Sequence, residues 1–185
     1  FLEAHRKGPG ALVLAPTREL ATQIAEEIQT LAKFTRIKVV TIYGGVSIRH
    51  QVNALRQRPE IVVGCPGRVL DLLQQGMLRL DRIEALVLDE ADHMFDMGFL
   101  PDIRRILAAL PSQRQNLLFS ASMPNEIRRL ANNLLKKPHV VELANSAPAA
   151  TIDHALYMVD ERRKLALLEH VLADDNCDSA IVFTR

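Results

Sequence analysis

The sequence predicts an α/β protein in which a parallel β-sheet is covered by helices on both faces. Two patterns predict this class: short apolar runs typical of buried strands alternate with longer stretches in which apolar residues recur every three or four positions. Alternation of this kind is typical of parallel strands joined by crossover helices. The chain has 185 residues, which suffices for one domain and the beginning of another.

Six apolar runs have the length and β-branched content of buried strands, and five helical stretches lie among them. The predicted strands are residues 11–15, 37–43, 61–63, 85–89, 116–120 and 140–143. The predicted helices are residues 17–34, 47–56, 68–75, 101–110 and 124–135.

The C-terminal part of the chain predicts the start of a second domain. Residues 145–150 have small side chains and no periodicity, which is typical of a linker. A strand at 152–159, a helix at 161–173 and a strand at 180–183 follow, which together are too short for a domain. We therefore expect a first domain at 1–144, a linker at 145–150 and the opening of a second domain at 151–185.

Composition and charge narrow the classes of function. The chain carries 23 Lys and Arg against 22 Asp and Glu, but residues 1–82 have a net charge of +5 and residues 83–185 one of −4. A polyanion would therefore contact the first half. No apolar run approaches the ~18–20 residues of a membrane span, and no charged-then-apolar leader opens the chain. The two cysteines have no metal-ligand spacing, so a reducing, cytoplasmic compartment is expected.

The apolar run at 85–89 ends on an acidic residue, and further acidic residues follow it. Asp89, Glu90 and Asp92 lie where a parallel strand ends, which is the side of an open sheet on which ligands bind. In phosphoryl-transfer enzymes an Asp at such a position holds Mg²⁺ and a neighbouring residue positions the attacking water. The alternative is ordinary helix capping, because carboxylates are favoured in the first turn of a helix.

Small and hydroxyl-bearing residues follow the other strands. Ser120 ends the run at 116–120 and Ser122 follows it, and a helix N-cap is the alternative function of these residues. Three further loops sit between a strand and a helix in the basic half of the chain, and each alone would be an ordinary turn. Together they favour a phosphate backbone as ligand; they contain Pro16, Thr17, Arg18 and Glu19, then Gly44 and Gly45, then Pro66, Gly67 and Arg68.

One nucleotide-binding signal is missing from these residues. No G-x-x-x-x-G-K-[ST] phosphate loop occurs, so the expected main anchor for ATP phosphates is not in the sequence.

Taken together, these segments resemble the DEAD-box family of ATP-dependent RNA helicases, in the family's order and spacing. The segments are Ala15-Pro16-Thr17-Arg18-Glu19-Leu20-Ala21, Gly44-Gly45, Cys65-Pro66-Gly67-Arg68, Asp89-Glu90-Ala91-Asp92 with Asp96-Met97-Gly98-Phe99, Ser120-Ala121-Ser122 and Val182-Phe183-Thr184-Arg185. The run from Gln115 to Ser120 looks most like the bacterial RhlE-type branch.

The resemblance implies a fold, a reaction and roles for individual residues. It implies two RecA-like domains, of which this chain has an incomplete first and the opening of the second. Asp89 would hold Mg²⁺ through the nucleotide, Glu90 would orient the attacking water, and Asp92 would couple nucleotide state to RNA strand separation through the hydroxyls of Ser120 and Ser122. The segments at 16–19, 44–45 and 65–68 would hold RNA by its phosphates and riboses, with little base specificity.

Two residues depart from the family pattern, which usually has Thr at both positions. Cys65 offers a thiol, a weaker hydrogen-bond donor than a hydroxyl, and Ser122 keeps the hydroxyl but loses a methyl group.

Two classes of function stay open at this point. In the first, the chain is a segment of an ATP-driven RNA helicase that uses ATP and Mg²⁺ but is inactive in isolation and binds nucleotide weakly. In the second, it is a non-catalytic module that binds RNA or protein. The family topology also leaves the strand at 116–120 without one neighbour, and we expect residues 180–183 to fill that place, from the same chain or from a second copy in a homo-oligomer.

Overall fold

The computed structural model describes residues 8–142, 153, 155–173 and 179–184. The chain divides into two units, Phe1–His139 and Val140–Arg185. The first unit contains a sheet with its helices, and the second contains one short helix preceded by a 3₁₀ turn. The predicted linker at 145–150 lies outside the described residues, and the predicted domain boundaries stay a prediction.

Five parallel strands form the sheet in the order β2-β3-β1-β4-β5. The strands are β1 (Ala11–Leu14), β2 (Val39–Ile42), β3 (Ile61–Gly64), β4 (Ala85–Leu88) and β5 (Gln115–Leu118). All five overlap the sequence-predicted strands, and the predicted α/β class with a RecA-like parallel sheet is confirmed.

Helices cover both faces of this sheet, as predicted. The helices are α1 (Arg18–Leu31), α2 (Ile48–Leu55), α3 (Pro66–Gln74), α4 (Ala91–Asp96), α5 (Leu100–Ala108) and α6 (Asn125–Leu134). Alternate strand residues enter two separate cores, because successive side chains point to opposite faces. Leu12 and Leu14 pack with α3 and α5 on one face, whereas Val13 and Val63 pack with α1 on the other.

Helix α4 was absent from the sequence prediction. It has six residues, fewer than two turns, so its apolar residues cannot show a helical period. Its position directly after β4 matters for the site, because it carries Asp92.

Three predicted strands near the C-terminus are wrong within the described residues. Residues 140–142, 155–159 and 179–184 form no strand, and Val140 and Val141 are 66% and 72% exposed. A short apolar run becomes a strand only where another strand supplies hydrogen-bond partners. The prediction that residues 180–183 fill the place beside β5, from the same chain or from a second copy, stays a prediction.

The second unit confirms the predicted helix at 161–173. A 3₁₀ turn, Glu161–Arg163, leads directly into α7 (Lys164–Leu172). Within the ranges that the structure describes, no helix is both long and apolar enough to cross a membrane.

Gly64, the last residue of β3, provides a stability test. A Cβ atom built there would lie 2.4 Å from the carbonyl oxygen of Ile42 and 2.8 Å from Cγ2 of Val69. We expect Gly64→Ala to lower the free energy of unfolding by about 1–3 kcal/mol, because the clash forces β3 away from β2 or α3. Chemical denaturation measures the change. Gly8→Ala is the matched control, since a Cβ there meets nothing within 4 Å; equal stability of the two variants would contradict the packing argument.

Candidate functional site

The carboxyl ends of the strands lie level along one edge of the sheet. The register pairs Leu14 of β1 with Gly64 on one side and Leu88 on the other. The ladder then continues one residue further, since the amide of Asp89 donates to Leu14 at 3.0 Å and that of Cys65 donates to Ile42 at 2.9 Å. The predicted site residues that follow β1, β3 and β4 are therefore held at this edge by backbone hydrogen bonds.

Glu90 has an unusual backbone that turns the chain sharply between β4 and α4. Its φ of 49° and ψ of 55° lie in the left-handed region, which is strained for a residue with a side chain. Its amide donates to Oδ1 of Asp89 at 3.0 Å, and its Oε2 lies 3.1 Å from Nδ1 of His93. The turn leaves Glu90 exposed, whereas Asp89 is partly buried.

Asp92 connects α4 to the loop that follows β5. Its Oδ2 accepts hydrogen bonds from the amide and from the hydroxyl of Ser122, both at 2.8 Å. Ser120 makes a different contact from the expected one: its Oγ accepts from the amide of Asp92 at 3.1 Å and donates to the carbonyl of Ser122 at 2.7 Å. The structure therefore brings Asp92, Ser120 and Ser122 together in one network.

The pKa of Asp92 reflects this network. Desolvation raises the pKa, but the hydrogen bonds donated by the hydroxyl and the amide of Ser122, together with the Ser120 side chain and the amide of His93, outweigh it, so the pKa lies below the ordinary value of an aspartate. Asp92 is therefore an acceptor that stays ionised at neutral pH.

The loops after β1 and β3 lie near each other. Thr17 caps α1 by accepting the amide of Leu20 at 3.2 Å, and Arg18 forms an exposed ion pair with Glu19 at 3.1 Å. The pKa of the Cys65 thiol is raised by burial and by the negative charge of Glu19. The negative charge of Glu19, in the loop after β1, therefore acts on Cys65, in the loop after β3.

Buried prolines shape two of these loops. Pro16 and Pro66 are buried, and Pro66 opens α3, where a proline is tolerated because the first amide needs no partner. Of the predicted RNA-contacting residues, these two are therefore buried and do not present their side chains at the surface.

The loop that contains Gly44 and Gly45 is held at both ends by side chains from neighbouring helices. Nε2 of Gln51 donates to the carbonyl of Tyr43 at 2.8 Å, and Nη1 of Arg68 donates to the carbonyl of Val46 at 3.3 Å. Gly45 has a φ of 79°, a conformation that a glycine adopts without strain.

Arg68 and Gln51 have roles at this loop that the sequence did not reveal. Arg68 also pairs with Asp71 at 3.5 Å, and its side chain is only 18% exposed. The sequence did not identify Gln51 as a site residue. The signal that could have done so is its position next to Val52 and three residues after Ile48, which places it on the side of α2 that faces the core.

The acidic edge fits a magnesium ion that arrives with a nucleotide. No group of three or more His, Cys, Asp or Glu side chains that could hold a metal exists among the residues described. Asp89 offers one carboxylate, and its Oδ2 makes no hydrogen bond within the described part of the chain. Mg²⁺ in phosphoryl-transfer sites needs only one or two carboxylates because nucleotide phosphates and waters complete its shell.

A parallel sheet with acidic and hydroxyl side chains at the carboxyl ends of its strands is typical of α/β proteins that bind nucleotides. Comparison with known families is more specific: residues 1–130 match the DEAD/DEAH box helicase family, and the chain belongs to it.

Curated relatives match nearly the whole chain. It is 43% identical over 178 residues to the ATP-dependent RNA helicase DbpA of Bacillus subtilis, covering 96% of this chain and 37% of that protein. It is also 43% identical over 176 residues to the DEAD-box ATP-dependent RNA helicase CshA of Geobacillus kaustophilus, covering 95% and 38%. The chain therefore spans less than two-fifths of these relatives, and the finer RhlE-type assignment stays a prediction.

Solved structures agree with the family. A DEAD box protein from Methanococcus jannaschii superposes with a TM-score of 0.73 at 38% identity, covering 94% of this chain and 46% of that one. A hypothetical ATP-dependent RNA helicase from Sulfolobus tokodaii gives 0.67 at 39% identity, covering 71% and 40%.

The lowered pKa of Asp92 predicts a pH-dependent contribution to stability. Because the folded pKa lies below the unfolded value of about 3.9, the contribution is complete above that pH and is lost as the pH falls through the folded value. We expect Asp92→Asn to be less stable than the wild type at pH 7 and the difference to shrink as the pH falls below about 3.9. Denaturation midpoints between pH 7 and 3 measure this. Asp96→Asn changes an exposed carboxylate of the same helix and is the control; a difference that does not shrink between pH 5 and 3 would contradict the assignment.

Proposed function

We propose that this chain is a segment of an ATP-dependent RNA helicase, in which ATP hydrolysis is coupled to unwinding or remodelling of RNA duplexes. The observation that carries the proposal is the network of Asp92, Ser120 and Ser122 directly behind Asp89 and Glu90. It joins the predicted hydrolytic carboxylates to a loop on a neighbouring strand. The family relationship supports the same activity.

Asp89 and Glu90 have distinct proposed roles. Asp89 is the residue that would hold the magnesium ion of bound ATP, and the ion would neutralise charge on the phosphates. Glu90 presents an exposed carboxylate one residue further on, held near His93, where it accepts a hydrogen bond from the attacking water and orients it. Both residues lie in the same backbone turn between β4 and α4.

The network around Asp92 is the proposed coupling element. The hydrogen bonds of Asp92 cross from the end of β4 to the loop after β5, so a movement of either loop changes both. Ser122 provides the hydroxyl in place of the family's usual threonine, and Ser120 joins the network through the amide of Asp92. A change at Asp89 or Glu90 is thereby transmitted to the loop that leads into α6.

The proposed RNA surface consists of the loops after β1, β2 and β3. They contain basic and glycine residues at or just before the beginnings of α1, α2 and α3, in the half of the chain that carries net positive charge. Contacts to phosphates and riboses give affinity without base specificity. Arg68 contributes by holding the loop that contains Gly44 and Gly45, through its hydrogen bond to the carbonyl of Val46.

The 185 residues contain no phosphate loop, so we also propose that they bind ATP weakly and do not hydrolyse it alone. The proposed organisation is a RecA-like domain at 1–144, a linker at 145–150 and the opening of a second RecA-like domain at 151–185, in a cytoplasmic protein.

RNA-stimulated ATP hydrolysis by this chain tests the catalytic part of the proposal. We expect no turnover above that of Glu90→Gln, which keeps the size of the side chain but removes the negative charge. Phosphate release in the presence of an oligouridylate and Mg²⁺ measures it. Turnover that Glu90→Gln abolishes would support the role of Glu90 but contradict the proposed inactivity of the isolated segment.

RNA binding tests the other half of the proposal. We expect Cys65→Thr to bind oligouridylate up to about fivefold more tightly, because a hydroxyl donates a hydrogen bond worth about 1 kcal/mol where a thiol donates weakly. Fluorescence anisotropy at matched salt measures the affinity.

Cys65→Val is the matched control, because valine has the shape of threonine without its hydroxyl. Equal affinities of the two variants would remove residue 65 from the RNA contacts. No RNA binding by any of the three proteins would contradict the proposed function itself.

A further inference from the structure

Strand β2 has an outer edge that no strand of the described chain covers. The strand order places β2 at the end of the sheet, paired only with β3. The carbonyls of Lys38 and Ile42 accept the amides of Ile61 and Cys65. Alternate residues of a parallel strand bond to the same neighbour, so Val39 and Thr41 turn their amide and carbonyl groups outward.

An open pocket of about 460 Å³ lies along this edge, between β2 and α2. The side chains and backbone that line it include Val39, Thr41, Tyr43, His50, Gln51 and Ala54. The pocket therefore combines an unpaired strand edge with space for an apolar side chain beside it.

Gln51 marks the end of this edge. Only 6% exposed, it donates from Nε2 to the outward carbonyl of Tyr43, as the amide of a further strand would. Its Oε1 is buried and has no hydrogen-bond partner among the described residues. An unmet buried acceptor costs about 1–3 kcal/mol, so a donor entering the pocket would be favoured.

The charge around the edge selects the chemistry of an occupant. Residues 33–59 contain six Lys and Arg and no Asp or Glu. Arg36 and Lys38 are exposed immediately before β2, and Arg49 is exposed on α2. An acidic occupant is therefore complementary.

We propose that the outer edge of β2 binds an extended, acidic segment of a partner protein as an additional strand. Its backbone pairs with Val39 and Thr41, an apolar side chain enters the pocket, and its carboxylates face the surrounding basic residues. An RNA strand fits this edge less well, because its backbone does not present donors and acceptors in the alternating spacing with which a peptide strand meets the outward groups of Val39 and Thr41.

A synthetic peptide tests the mode of binding on the full 185-residue chain. The probe is a fluorescent octapeptide of alternating valine and glutamate, measured by anisotropy. We expect saturable binding that weakens at least tenfold when lysine replaces glutamate. In an added strand only alternate amides face β2, so N-methylation of either all the valines or all the glutamates should abolish binding, and N-methylation of the other set should not.

Two variants locate the site on the protein. Thr41→Pro removes an outward amide and leaves the hydrogen bonds to β3 intact, as proline is tolerated on the free side of an edge strand. His50→Glu adds negative charge at the pocket, and Asn53→Glu adds it at an exposed position of α2 outside the residues lining the pocket. We expect Thr41→Pro and His50→Glu to weaken peptide binding at least fivefold and Asn53→Glu to have less effect.

Several outcomes would overturn the proposal. They are absence of saturable binding, equal effects of the two N-methylated peptides, or equal effects of His50→Glu and Asn53→Glu. Complete displacement of the peptide by oligouridylate, together with an equal loss of oligouridylate affinity in His50→Glu, would assign the edge to RNA instead. If Thr41→Pro fails to fold, the peptide series still decides the question.

Discussion

The register of the parallel ladder is the constraint on which the site depends. Because Leu14, Gly64 and Leu88 are paired side by side, the three strands end at the same level, and every loop that follows them begins at one edge. A shift of one strand by a single residue would turn its core side chains to the opposite face. Burial of Leu12, Leu14 and Leu88 therefore fixes the position of loops that contribute little to stability themselves.

Gly64 shows how closely this arrangement is packed. Its missing side chain lets the end of β3 lie against Ile42 of β2 and Val69 of α3. The same residue immediately precedes Cys65, so the close approach that stabilises the sheet also sets where the loop into α3 begins. Core and candidate site are thus built from adjacent residues, and neither is positioned independently of the other.

The sequence predicted the parts of the molecule that depend on apolar pattern. Five strands and five helices of the first unit are long enough, and apolar enough on one side, to show their period. Helix α4 is too short to do so, and the apolar residues at 140–142 and 179–184 form no strand in the described part of the chain. The apolar pattern of a segment indicates that it tends to be buried, but a strand also requires a neighbouring strand.

The contacts among Asp92, Ser120 and Ser122 were predicted only in part. The family resemblance implied that Asp92 would pair with both hydroxyls, and the Ser122 contact is present, yet the contact of Ser120 with the amide of Asp92 depends on the exact path of the chain after β5. The sequence did not reveal the role of Gln51, because a glutamine in a helix ordinarily faces water. Only the position of α2 against Tyr43 buries it.

The left-handed backbone of Glu90 has a consequence for the sequence as a whole. Conformations of this kind cost on the order of 1–3 kcal/mol for residues with a side chain, and glycine or asparagine would adopt them at less expense. A chain chosen for stability alone would place one of those residues at position 90. The presence of glutamate there indicates that this turn gives up stability of the fold for a carboxylate held at the edge of the sheet.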